Sequence, residues 1–220
     1  MQSSLFLRDI VIGMSDGLTV PFALAAGLSG VVDNSNIIVI AGVAEIAAGS
    51  IAMGLGGYLA GKTEQDHYKS ELKREFEEVE RLPEREKQEV REFFEQIGLS
   101  KEIQDKATEE IARDKKQWVD FMMKYELGLD EPDARRATKS ALNIGLSYVV
   151  GGIIPLLPYF FINNATEALK ISIVATLICL FVFGYFKSKV TGVHPFLGAV
   201  KVTSIGALAA VAAFGVASLF

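Results

Sequence analysis

Polar and apolar positions are segregated along the 220 residues rather than interleaved. Five apolar runs, near 5–28, 37–60, 140–162, 169–186 and 196–219, break the sequence into long stretches with few charges. Each lasts roughly the 20 residues that a helix rising about 1.5 Å per residue needs to cross about 30 Å of hydrocarbon. Between the second and third runs the pattern inverts. From Lys62 to Lys139 the chain carries 22 of its 27 acidic and 17 of its 22 basic residues. The pattern predicts an all-α, polytopic membrane protein with five transmembrane helices: spans 1 and 2 in residues 1–61, a water-facing helical insertion in 62–138, and spans 3 to 5 in 139–220.

Local signals refine these elements. The first run is too long for a cleavable signal and passes directly into a second span behind the short polar turn VVDNSN. The third, ALNIGLSYVVGGIIPLLPYFF, carries Asn143, Ser147 and Tyr148 and then Pro155 and Pro158, which predict a helix broken twice beside a polar face. The fourth reads as a plain packing or lipid-facing helix, and the fifth, rich in alanine and glycine, as a close-packing one that begins after His194. In the insertion, TEQDHYKSELKREFEEVERLPEREKQEVREFFEQIG has strong helix propensity, is divided at Pro83 and stops at Gly98, so two helices should meet at Leu82 and Pro83. KKQWVDFMMKYELG predicts a further helix ending near Gly128, with Trp118, Phe121 and Tyr125 as the core of a small domain.

Charge and composition then limit what the chain can do. The net charge of −5 belongs wholly to the insertion, whose mixed signs do not form the basic face that nucleic acid requires. Cys179 is the sole cysteine, so an intrachain disulfide is excluded and the residue reads as packing. No phosphate-binding loop is present, and GLGGYLAG lacks the GxGxxG spacing and lies inside a span, so no organic cofactor is expected. Arg8, Lys62, Arg135, Arg136, Lys139, Lys187 and Lys189 fall on one side of the predicted spans. The N-terminus and the insertion are therefore expected to be cytosolic, with the C-terminus on the opposite side of five crossings.

Three residues in the first two spans stand out against the apolar background. Asp16 lies mid-span, where an uncompensated charge costs at least roughly 2.5–3.5 kcal/mol on insertion scales. Pro21 lacks an amide hydrogen and would leave the Gly17 carbonyl free beside it. Carboxylate and carbonyl together make a cation site; the competing reading is a kink in which Ser15 or Thr19 caps the acid. In the second span Glu45, Gly49 and Met53 follow at i, i+4 and i+8, which puts Glu45 and Met53 within about 80° of each other on the helix. Oxygen with a soft thioether suits a borderline divalent transition metal, iron, cobalt, manganese or zinc, better than calcium or magnesium. Burial makes such carboxylates competent to hold a proton or a metal in turn.

The insertion offers a second cluster. Glu75 with Glu78 and Glu86 with Glu89 are i, i+3 pairs on either side of Pro83, and a fold-back there would bring them face to face. Facing helical carboxylate pairs hold di-metal sites in bundles. Met122, Met123 and Glu126 add sulfur and a further carboxylate. Glu77, Glu80, Glu84, Glu92 and Glu95 crowd the same stretch, so a solvated acidic face explains the spacing equally well. A membrane-anchored, ferroxidase-like carboxylate enzyme could use the same pairs, but no histidine accompanies those pairs as the usual Glu-x-x-His arrangement would require.

DGLTVPFALAAGLSG followed by AEIAAGSIAMGLGGYLA resembles the signature of the vacuolar iron transporter family, and the Glu-rich insertion resembles its plant-type members. The resemblance covers essentially the whole chain. It implies a transporter rather than an enzyme: a homodimer of five-span protomers in the lipid of the vacuolar membrane, exchanging cytosolic ferrous iron for protons along a path at the dimer interface. Zn2+, Co2+ and Mn2+ join Fe2+ as expected substrates. By the same resemblance Asp16, Glu45 and Met53 are transport-path residues. Glu75, Glu78, Glu86, Glu89, Met122, Met123 and Glu126 form a cytosolic metal-binding domain.

Overall fold

A computed structural model describes residues 2–219, and side-chain surroundings from residue 5 onward. The described residues are helical throughout, joined by short turns, with no β-strand: α1 Gln2–Ser29, α2 Ser35–Arg81, α3 Pro83–Gln96, α4 Lys101–Ala112, α5 Lys115–Phe121, a π-helical turn Met122–Glu126, α6 Arg136–Phe161, α7 Ala165–Val190 and α8 Pro195–Ala217. Among the described residues five helices are long and apolar enough to cross a membrane, namely α1, α2, α6, α7 and α8. The chain divides into two compact units, one made of residues up to Leu59 together with those from Ala137 on, the other Ala60–Arg136. The all-α, five-span expectation holds. The second helix extends well beyond its apolar run, because the charged residues after Lys62 are themselves strong helix formers and nothing interrupts them before Pro83.

In the first unit α6 is the most enclosed span, with half of its most apolar window buried, against 17% for α2 and α8. Its central position follows from glycines on both sides. A Cβ on Gly17 of α1 would lie 2.9 Å from the Tyr148 Cα, and one on Gly151 of α6 only 3.0 Å from the Leu18 amide. The two backbones therefore touch, as small residues permit in membranes.

The sequence pattern predicts two breaks in the third span, yet α6 runs unbroken through Pro155 and Pro158, as α1 does through Pro21. Neighbouring helices brace these segments: the buried Ser172 hydroxyl of α7 donates to the Pro155 carbonyl at 2.7 Å, and Pro21 seats against Gly152, where a Cβ would meet it at 3.1 Å. Helix α7 is also less plain than its composition implies. It buries Ala165, Ala168, Ser172, Thr176, Leu180, Gly184 and Ser188, a seam of mostly small residues at i+3 and i+4 spacing.

The turns α1–α2 and α6–α7 hold each other. The Ser35 amide donates to the Asn163 carbonyl (3.1 Å) and the Ala165 amide to the Asp33 carbonyl (3.0 Å), an isolated antiparallel bridge centred on Asn34 and Asn164. Each asparagine also accepts from a backbone amide of the helix that follows, Asn34 from Asn36 and Asn164 from Glu167.

In the second unit, α2 ends at Arg81 and α3 starts at Pro83, whose fixed φ and missing N–H suit the first helical position. The unit is closed by an apolar cluster of Val79, Val90, Trp118, Val119, Met122 and Met123, with Phe94 and Phe121 packed against it. Gly98 (φ 84°) ends the α3 region and Gly128 (φ 65°) follows the π turn, both in the left-handed conformation that a glycine adopts without a Cβ penalty.

Candidate functional site

In the membrane-spanning unit, the one-carbon gap at Gly49 decides the local arrangement. A Cβ there would lie 2.7 Å from Tyr148 Cε1, so the absence of a side chain lets the phenol of α6 reach across to α2. The Tyr148 hydroxyl donates to one oxygen of Glu45, while the other Glu45 oxygen is buried and has no hydrogen-bond partner. Tyr148 itself is only 2% exposed. Asp16 on α1 is half-buried, and Met53, two turns beyond Glu45, is half-buried as well. Among the described residues no hydroxyl caps Asp16, so the kink-and-cap alternative has no bond behind it. A half-satisfied carboxylate, a second carboxylate with no hydroxyl cap and a thioether thus stand in predominantly apolar spans.

Two residues of this unit lay outside the sequence-predicted set. Asp9 is fully buried on α1 and accepts from Ser140 Oγ (3.1 Å) and Asn143 Nδ2 (3.5 Å) of α6. It precedes Asp16 by seven residues, two helical turns on nearly the same face, and that spacing was the available signal. Tyr148 was visible only as one polar group among several, because its partner lies 103 residues away.

In the second unit the acidic residues sort themselves by register. Glu75 occupies a position on the stripe of α2 that also buries Leu72 and Val79, and Glu86 precedes the buried Val90 by one turn of α3. Both glutamates therefore point to the core, 1% and 2% exposed, and each leaves one carboxylate oxygen buried without a partner. The turn at Pro83 brings Glu75, Glu78 and Glu86 together so that one oxygen from each lies within 4.8 Å of the others. Arg74 offsets part of the charge, contacting Glu71 (2.8 Å), Glu75 (3.3 Å) and Glu78 (3.5 Å), and Arg85 pairs with Glu89 at 3.1 Å.

Withdrawal from water, reinforced by the charges of Glu89, Glu75, Glu78 and Glu126, pushes Glu86 up to about 7. Glu126 is pushed to about 7 by the same burial together with Glu89, Glu75 and Glu78, against an opposing pull from Arg74. The charges of Glu75, Glu78 and Glu89 therefore act on both Glu86 and Glu126, although among the described residues only Glu75, Glu78 and Glu86 form the tight group. Met122 and Met123 are placed differently: they are 0% and 1% exposed and belong to the apolar cluster beside Trp118. Tyr125, predicted as core, is half-exposed and stacks on Phe93 and Phe121.

Clustered carboxylates with buried, unshared oxygens attract a divalent cation, which would relieve both the mutual repulsion and the unmet acceptors. A five-span helical protein carrying acids inside its first two spans and a buried carboxylate group in a polar insertion belongs to the class of polytopic membrane proteins that handle cations.

Comparison with known proteins narrows that class. A model of the VIT family matches residues 7–218, and the chain belongs to this family. It is 53% identical to vacuolar iron transporter 1 of Oryza sativa subsp. japonica, covering 96% of this chain and 84% of that protein. Vacuolar iron transporter 1 of Arabidopsis thaliana is 51% identical over 97% of this chain and 85% of its own length. Protein CCC1 of Saccharomyces cerevisiae is 39% identical over 84% of this chain and 58% of its own. The plant relatives are named as transporters rather than enzymes.

Proposed function

We propose that this protein moves ferrous iron, and with it other divalent transition metals such as manganese, cobalt and zinc, from the cytosol into an acidic vacuole in exchange for protons. It acts in the vacuolar membrane as a homodimer with its N-terminus and Glu-rich insertion in the cytosol and its C-terminus in the lumen. The observation that carries the reading is Glu45: a carboxylate within a span that keeps one buried oxygen without a partner, in a chain similar over nearly its full length to vacuolar iron transporters.

The residues divide the work. Glu75, Glu78, Glu86, Glu89 and Glu126 gather metal from the cytosol, with Met122 and Met123 supplying sulfur from the core side. Met53 and Glu45 take the cation partly dehydrated, the thioether favouring a transition metal over calcium. Asp16 passes it on within the membrane. A carboxylate in low-dielectric surroundings holds a cation or a proton but not readily both, so protons arriving from the acidic side displace the metal.

The test is uptake into proteoliposomes buffered inside at acid pH, one cation at a time, with internal pH followed in parallel. Fe2+ entry accompanied by alkalinisation of the lumen is expected. Uptake indifferent to the pH difference removes the exchange mechanism, and an absence of Fe2+ uptake removes the substrate.

A further inference from the structure

Tyr148 reaches Glu45 across two helices. Its hydroxyl occupies one oxygen of that carboxylate and leaves the other buried and unshared. The phenol has little freedom to swing away, because its ring fills the space left by Gly49 and its own backbone abuts Gly17 of α1. A charge-assisted hydrogen bond from a side chain so confined fixes the rotation of the carboxylate as well as its position.

We propose that Tyr148 is a positioning and specificity-determining residue of the transport path: its hydroxyl holds Glu45 so that the carboxylate meets a passing divalent cation through a single oxygen. This rests on the reading of Glu45 as a transport-path residue. Calcium surrounds itself with six to eight oxygens and readily takes a carboxylate through both of its atoms. One oxygen, presented on the same side of α2 as the Met53 thioether, serves a borderline transition metal and denies calcium the second contact. Without the phenol, Glu45 is free to turn both oxygens toward the cation, and discrimination against calcium weakens.

The experiment compares wild type and Tyr148→Phe, both full-length and in proteoliposomes, for half-saturating Fe2+ and for the Ca2+-to-Fe2+ ratio of initial uptake rates. Half-saturating Fe2+ should rise about tenfold, the factor implied by losing one hydrogen bond to a charged group, while the maximal rate changes less. The Ca2+-to-Fe2+ ratio should rise several-fold. Gly49→Ala, whose methyl group would displace the phenol, should raise the same ratio even where Tyr148→Phe folds poorly. In a Glu45→Gln background, Tyr148→Phe should add nothing further.

A uniform loss of rate for both cations, with half-saturation and ratio unchanged, would reduce Tyr148 to packing and overturn the proposal. Independent, multiplying effects of the Tyr148 and Glu45 substitutions would overturn it too. If the wild type carries no Fe2+, the proposed function fails by itself. The Mn2+-induced shift of the Glu45 carboxylate stretch, identified in infrared difference spectra by its loss in Glu45→Gln, then decides this inference. A shift unaltered by Tyr148→Phe contradicts it, and a change toward two-oxygen coordination supports it.

Discussion

The carboxylates of the membrane-spanning unit and those of the insertion reach similar chemistry from opposite starting points. In the spans acids are rare, and two of them are accommodated individually, Asp9 by Ser140 and Asn143 and Glu45 by Tyr148, while no hydroxyl caps Asp16. In the insertion acids are abundant, and the fold selects among them. Glu75 and Glu86 are turned inward by the same stripes that bury Val79 and Val90, while Glu84, Glu92 and Glu95 remain exposed. Rarity marks a functional acid in oil because solvation there is costly, whereas in water only register can mark it.

This contrast predicts unequal responses to mutation. Asp16→Ala should reduce proton-coupled Fe2+ uptake in proteoliposomes to background, because no other described group replaces a carboxylate on that stretch of α1. Undiminished uptake would remove Asp16 from the path. Exchanging Glu75, Glu78, Glu86, Glu89 and Glu126 together for glutamine should act mainly on binding. The metal stoichiometry of the full-length protein, measured by calorimetry, should fall, while uptake at saturating Fe2+ persists. If the fivefold exchange also abolishes saturated uptake, the two groups of acids are not the separable parts that the comparison makes them.

The spans were legible in the sequence because hydrocarbon imposes length and apolarity on every crossing, and Asp16 and Glu45 were legible as exceptions to that rule. The turn at Pro83 was equally plain, since proline suits the first helical position and the residue before it disfavours the α region. The unbroken course of α6 through Pro155 and Pro158 was not, because the contacts that brace it come from Ser172 and from a glycine face that only the packed bundle brings near. Glu-x-x-Glu spacing found the insertion's glutamates but could not rank them. A sharper local signal was present: Glu75 and Glu86 interrupt apolar stripes at positions where Leu72, Val79 and Val90 predict burial. The pairing of Tyr148 with Glu45 depends on close approach of two helices distant in sequence, and no local pattern encodes it.

A pH dependence sharpens the comparison on the insertion's side. Glu86 and Glu126 are held at about 7 against an ordinary 4.5 by loss of water and by the charges of their neighbours Glu89, Glu75 and Glu78. The folded insertion therefore binds more protons than the unfolded chain between about pH 4.5 and 7. Without metal, its stability should fall as pH rises through that window and level off above it. A bound cation favours the deprotonated carboxyls, so metal affinity should rise with pH over the same range. Hydrogen exchange of the insertion's amides in the metal-free, full-length protein should show stronger protection at pH 5 than at pH 8, and Glu86→Gln should flatten the difference. Protection independent of pH would mean that both carboxyls titrate as they do in open water.

The smallest expected effect is the most discriminating. Lys87 pairs with Glu109 at 2.9 Å and Arg91 with Asp105 at 3.1 Å, solvent-screened bridges between α3 and α4 that individually contribute little. Replacing Glu84, Glu92 and Glu95 with glutamine removes as many carboxyl groups from the insertion as replacing Glu75, Glu78 and Glu86 does, and the first three are not buried. If register selects the functional acids, the exposed triple exchange should leave metal stoichiometry unchanged and shift thermal unfolding by no more than a degree or two. It should also weaken binding only slightly, and less as salt is added, because the interaction it removes is a screened one at a distance. A loss of stoichiometry equal to that from the buried triple would show that the insertion concentrates cations through a diffuse acidic field, and the inward turn of Glu75 and Glu86 would then be a matter of folding alone.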